Sequence, residues 1–493
     1  MGGLPCGELS HDLRVVLDKG VSFWVQGSMA MGGSPWQVVR VGTAAGPFVA
    51  RLRKAGAEGT TTNGRRERAV ARQLLNRGLV HPVIEQHRPH MPVDIVVPAF
   101  DRAVQLEACL RALEGANIVV VDDGSRDAEA IRRVASSNAV RLLRHDCNRG
   151  PAAARNTGAT PTDSPLIAFV DSDCSPEPGW LQILLPHFED PLVAAVAPRV
   201  IPKGGSRSLL ARYEQARSAL DMGDSPEQVR PGSRLGFVPS ATLVVRRSAL
   251  GQCGFDEALR LGEDVDLVWR LVDAGWQVRY EPSATARHEP LLDPVAWLTR
   301  RFQYGTSAAG LHNRHPGRLA PARVMSWNLV TLALFAYRRP RSAGLVMMAA
   351  ALLLDRPLRR AGGGLLMAHA VVAKGLVADA AAVGHALRRE WWPIGLVSLA
   401  TVRRSRLATA AAFCMIGPIA YEWLRHRPEV DPARYAGLRL VDDAAYGTGV
   451  LVGAWRARRV AFLRPEVRMP WARALKAGRA RRPRMRRDQS RAG

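Results

Sequence analysis

The chain has 493 residues, 47% of them hydrophobic, and a formal net charge of +25. That length allows two or three domains, and that apolar content excludes a mostly disordered chain. Six cysteines, with no CxxC pair and no zinc-like Cys/His spacing, exclude a zinc module and fit free buried thiols in a reducing cytoplasm.

Residues 1–85 carry short apolar stretches at 13–17, 21–25 and 36–41, separated by Gly and Ser turns, then a helical pattern at 65–77. This predicts a small α+β module that finishes in helices. It either binds a peptide or acceptor or braces the neighbouring domain. No basic stretch followed by an apolar run opens the chain, so no signal peptide is expected. Residues 81–91 hold two prolines and read as a linker.

Between 92 and 290 the pattern alternates. Residues 93–97 are a continuous run rich in β-branched residues, as in a buried parallel strand. Next come a helix at 104–113, a strand at 118–121, a helix at 127–134, a strand at 140–143, a helix opening at 152–157 and a strand at 166–170. The alternation predicts an α/β domain with a Rossmann-like parallel sheet covered on both faces. Ligands of such sheets sit beyond the carboxyl ends of the strands.

The strand ends hold the chemistry. The first ends in Val97-Pro98-Ala99-Phe100-Asp101 and the second in Val121-Asp122-Asp123-Gly124-Ser125. Adjacent carboxylates there can accept hydrogen bonds from a base or ribose, or merely cap a turn and helix. Gly150-Pro151 opens a helix whose N-terminus suits a diphosphate, and Arg155 adds a cation for phosphate; a plain capped helix with a surface Arg fits the same residues.

The fourth strand runs into Asp171-Ser172-Asp173. Alternation at a strand end would point both carboxylates at one hard cation, Mg²⁺ or Mn²⁺. Gly262-Glu263-Asp264-Val265-Asp266 precedes an amphipathic helix. These acids favour the helix dipole, and one could also take a proton from an attacking hydroxyl. His288 follows a strand-like run at 278–280 and is either structural or a further metal ligand.

Residues 291–425 hold apolar stretches interrupted by charge, which predict a helical region that is buried or interfacial. Residues 426–493 read as a basic tail, dense in Arg at 481–487. The charge fits a solvated tail or peripheral contact with the inner face of the cell membrane. No nucleic-acid motif accompanies it.

The order of these motifs resembles glycosyltransferase family 2, with its GT-A fold. The matching pieces are Val96 to Arg102, Val121 to Ser125, Asn148-Arg149-Gly150 through Gly158, Asp171-Ser172-Asp173 and Gly262 to Leu267. The resemblance implies that Pro98 and Asp101 line a nucleoside pocket and that Asp122 or Asp123 contacts base or ribose. It puts Arg155 by the nucleotide, a divalent metal on Asp171 and Asp173, and the catalytic base at Asp264. His288 matches a metal or diphosphate contact of some members. The flanks, with Leu13-Arg14-Val15, Met31 to Pro35, His81-Pro82 and Arg301 to Ser307, are similar to the glycosyltransferases of mycofactocin biosynthesis. That likeness implies inverting transfer of glucose from UDP-glucose to premycofactocin, extended as a β-linked oligoglucoside. The alternatives are a membrane-associated polysaccharide synthase and a non-catalytic nucleotide-sugar or nucleic-acid binder.

Overall fold

The computed structural model describes residues 9, 13–24, 28–84, 91–113, 117–251, 254–360 and 362–469. Cys6, Cys253 and the arginines at 481–487 lie outside the described residues.

The N-terminal module pairs strand Arg14–Leu17 with Thr60–Thr61 and Val80–Pro82, beside a meander of Ser22–Trp24, Met29–Gly32 and Gln37–Arg40. Helices Gly46–Ala55 and Gly64–Leu75 lie between the strands. The module therefore closes on a strand rather than on helices, and the expected linker begins inside that strand, at His81 and Pro82. Its core gathers Val15, Phe48, Leu52 and Leu79. Arg72 grips Asp190 of the next domain with two hydrogen bonds of 2.7 and 2.8 Å, so the module braces its neighbour.

The central sheet contains β1 (Val93–Ala99), β2 (Asn117–Asp122), β3 (Arg141–Arg144), β4 (Leu166–Val170), β5 (Cys174–Pro176), β6 (Val193–Pro202), β7 (Glu227–Val229), β8 (Thr242–Arg246) and β9 (Gln277–His288). The order is β5-β9-β6-β8-β4-β1-β2-β3, with β7 against β9. Strands β3, β2, β1 and β4 are parallel. Strand β8 runs antiparallel to both β4 and β6, so the sheet is mixed and not the all-parallel one expected. Every residue of β4 is buried, as a strand covered on both faces requires. Helices α1 (Ala103–Ala112), α2 (Ala128–Ser137) and α3 (Pro151–Ala159) follow the first three strands, and α4 (Glu263–Asp273) precedes β9. Gly158 lets α3 lie directly on the sheet, where a Cβ would collide with Val96.

Beyond the sheet come α5 (Pro294–Arg314), α6 (Ser326–Ala336), α7 (Pro340–Arg360), α8 (Leu365–Arg388), α9 (Trp392–Ala400), α10 (Arg406–His426) and α11 (Pro432–Arg456). Helix α11 corrects the boundary expected at 426. It packs along α5, with Arg439, Asp442 and Asp443 buried, and belongs to the folded helical region. Arg301 of α5 bonds Glu214 at 2.6 Å and Asp442 at 2.9 Å, which ties that region to the sheet domain. Helices α8 and α10 are long and apolar enough to cross a membrane by length and composition. Cys109 and Cys174 are buried free thiols, whereas Cys147 is exposed.

Candidate active site

The parallel register sets the site. Ala99, Asp122 and Arg144 pair across β1, β2 and β3, so three strand ends lie level. Asp101 comes two residues after β1 with a positive φ of 54°, and its carboxylate accepts from the Arg126 backbone N–H and Nε, both at 2.7 Å. Pro98 is half-buried at the end of β1.

Asp122 and Asp123 are both buried, and both carboxylates are held inside the protein. Asp122 accepts from the Ser125 N–H at 2.9 Å and pairs with Arg144. Asp123 accepts from the N–H groups of Arg149 and Gly150, at 2.9 and 2.7 Å, and meets His145 Nδ1 at 2.7 Å. His145 Nε2 in turn reaches Thr157 at 2.9 Å on α3. The double acid thus pins the loop that leads into α3. Two N–H groups just ahead of that helix serve Asp123, so the diphosphate cradle expected there is partly filled by the protein's own carboxylate.

Arg155 is 3% exposed and lies 5.2 Å from the Phe255 ring centroid. Its two terminal nitrogens donate to Glu263 at 2.9 Å and to Asp171 Oδ1 at 2.7 Å. A guanidinium held this way aligns carboxylates. Arg155, expected beside a nucleotide, here joins the end of β4 to α4.

Asp171 and Asp173, expected to share one cation, have different partners within the protein. They lie past the end of β4 in a tight turn, closed by the Cys174 N–H donating to the Asp171 carbonyl at 2.9 Å. Strand alternation does not extend into a turn. Asp171 faces Arg155, whereas Asp173 faces Arg102 and His288. Strand β5 places His288 opposite Cys174, which brings its Nε2 to 3.6 Å from Asp173 Oδ2. Burial alone would raise the Asp173 carboxyl, but His288 and Arg102 outweigh it and hold it at about 2. Among the described residues no cluster of three His, Cys, Asp or Glu could hold a metal. An Asp–His pair at this spacing fits two ligands of one ion, the rest being supplied by donor phosphates and water.

Asp264 lies in the first turn of α4, half-buried, and accepts from the Val265 N–H at 2.8 Å. Burial pushes its carboxyl up to about 7, helped by the charge of Glu263 next to it. Glu263 itself is bound to Arg155, and Asp266 is buried between His315 and Arg270. Of three acids in one motif, Asp264 is therefore the one not committed to an ion pair. Tyr304 of α5 stands near it: burial raises the phenol, and Asp264 and Asp171 add to the rise against the pull of Arg300 and Arg301. A groove lined by Val104, Gln105, Asp173, Lys203, Arg287 and Glu289 opens at Asp173.

Sequence reading passed over His145, Arg144 and the bridging role of Glu263. The rule of strand ends points to the first two, since both stand where β3 stops. Nothing local marks Glu263, because its partner is 108 residues away.

Residues 94–254 match the model of Glycosyl transferase family 2. The pre-mycofactocin glycosyltransferase of Mycobacterium tuberculosis, in strains CDC 1551 and H37Rv, is 36% identical over 475 residues, covering 93% of this chain and 99% of that protein. Glycosyltransferase AglE of Haloferax volcanii is 27% identical over 227 residues, 43% of this chain and 71% of that protein. Among solved structures, a mannosyltransferase from Pyrobaculum calidifontis in complex with GDP-Man and Mn²⁺ is 18% identical, with a TM-score of 0.41 over 75% of this chain and 88% of that one.

Proposed function

The chain belongs to glycosyltransferase family 2, with the GT-A fold, and from that premise we propose that it transfers glucose from UDP-glucose to pre-mycofactocin, with inversion, and extends the product as a β-linked oligoglucoside. The acceptor rests on the Mycobacterium tuberculosis relative, whose 36% identity runs through 93% of this chain, including its flanks. The chemistry rests on the place of Asp264 in the first turn of α4, where burial raises its carboxyl to about 7 while its neighbours Glu263 and Asp266 are ion-paired.

A base of that strength is half ionised near pH 7 and strong enough to take a proton. The acceptor hydroxyl oxygen attacks the anomeric carbon while Asp264 removes its proton. The bond from that carbon to the diphosphate oxygen breaks, and UDP departs with the electron pair. Arg155 keeps Asp264 beside the end of β4 by holding Glu263 and Asp171 together. Pro98 and Asp101 border the nucleoside, and the turn at Asp122 and Asp123 forms its floor. Asp173 and His288 would hold Mg²⁺ or Mn²⁺, which supplies charge neutralisation for the departing diphosphate.

The test is incubation with UDP- and GDP-sugars in turn, plus the acceptor, read by mass. Glucose-sized increments from UDP-glucose alone are expected. Transfer from another donor, or to another acceptor only, would replace the corresponding half of the reading.

A further inference from the structure

We propose that helices α6 to α10 form a monotopic docking face for an anionic lipid bilayer. This inference stands apart from the identity of donor and acceptor.

Each of the five helices exposes a large apolar side chain. Phe335 is 46% exposed, Leu352 55%, Val377 71%, Val397 62% and Phe413 74%. On α7, Leu345, Met348 and Leu352 follow one stripe at i, i+3 and i+7, while Ala343, Ala350 and Ala351 face inward. The five helices pack on one another, so the exposed residues belong to one folded layer. Large apolar side chains left exposed on every helix of one packed layer are more than the single ones scattered over an ordinary surface, and mark an interaction surface.

Charge selects the occupant. Residues 326–426 contain four acids, and none is exposed. Asp355 pairs with Arg359, Asp379 accepts from the Met325 N–H and Asn328, Glu390 lies by Arg389, and Glu422 accepts from Tyr435. The exposed charges are basic, with Arg338, Arg339 and Arg341 at the α6–α7 turn and Arg403, Arg404 and Arg406 at the α9–α10 turn. Arginines bordering an apolar face complement acidic headgroups. A second copy of the same face would set like charges together.

The face lies on the bilayer and does not cross it. Helix α8 is long enough to span, but its start packs on Met29 and Met31 of the N-terminal module through Met367. Near its end Arg388 is bonded to Asp443 of α11 at 2.9 Å. Both ends therefore contact one water-facing body.

The experiment is flotation of the full chain with vesicles of phosphatidylglycerol and phosphatidylcholine, against phosphatidylcholine alone. Co-flotation with the anionic vesicles is expected, weakened by salt and released by alkaline carbonate. Val397→Glu with Phe413→Glu should weaken it at least tenfold, and Arg338→Ser with Arg339→Ser should remove most of the preference for anionic lipid. Both variants should keep normal turnover on a water-soluble acceptor, which shows that they fold. Absent binding, unchanged binding of the double Glu variant, or carbonate resistance would each overturn the proposal. So would a dimer in solution that the Glu substitutions dissociate.

Discussion

In the sheet domain all five residues of β4 are buried, and the acids at its edge are paired with specific bases. In the layer formed by α6 to α10 the apolar side chains of Phe413 and Val377 point outward, and the arginines at the turns stand without ion pairs among the described residues. The same residue types thus do opposite work. Where a covered sheet excludes water, an unpaired charge is costly, so each is matched or its pKa moves. Where one face of a helical layer is open, nothing forces pairing, and apolar surface is left for another phase to cover.

That contrast predicts very unequal sensitivity to substitution. Asp264→Asn should produce the largest effect, a loss of about 10²- to 10⁴-fold in transfer, with UDP binding retained; near-normal turnover would remove Asp264 as the base. In the unsubstituted protein kcat/KM should fall about tenfold per pH unit below about 7. Stability should move the other way. The folded state favours the neutral carboxyl, so the Asp264 contribution is complete below the ordinary carboxylate range and is lost as pH rises through about 7. Melting curves of Asp264→Asn and the parent should diverge from pH 4 to pH 8, with the Asn variant the more stable at the higher pH.

Arg155→Leu comes next. It leaves Asp171 and Glu263 facing each other without their shared cation, and breaking a buried pair costs about 3–5 kcal/mol. Calorimetry should show a large fall in Tm, and a shift of only a degree or two would mean that the joint between β4 and α4 is held elsewhere. His288→Ala should weaken Mn²⁺ affinity about tenfold and upward, by loss of one ligand, with little change in melting. Unchanged metal affinity would return the metal to Asp171. The smallest effect is expected across the divide: Phe413→Glu should alter stability within about 0.5 kcal/mol, as surface changes do. A collapse of the fold on that one substitution would show that the apolar layer is a core after all.

The strands of the sheet were legible because a buried strand is local: residues 93–97 and 166–170 carry their burial in their own composition. The position of the site at the strand ends came from the same pattern. The roles within it were less legible. Asp171 and Asp173 look alike in sequence, yet Asp171 pairs with Arg155 and Asp173 with Arg102 and His288. Asp122 and Asp123 read as ligand acids, and their pairing with Arg144 and His145 at the end of β3 was not visible in the sequence. Helices α8 and α10 outran the apolar stretches because charged and polar residues that interrupt hydropathy still continue a helix.

By itself the sequence determined the alternation of β and α, the strand-end acids and the family they belong to, since each rests on neighbours a few residues apart. The tertiary structure decided which acids are ion-paired, which one burial shifts and which helices stay uncovered. Those properties depend on burial and on partners such as Arg155 and Glu263, brought together from 108 residues apart, and a carboxylate's charge state is set by what surrounds it rather than by what adjoins it in the chain.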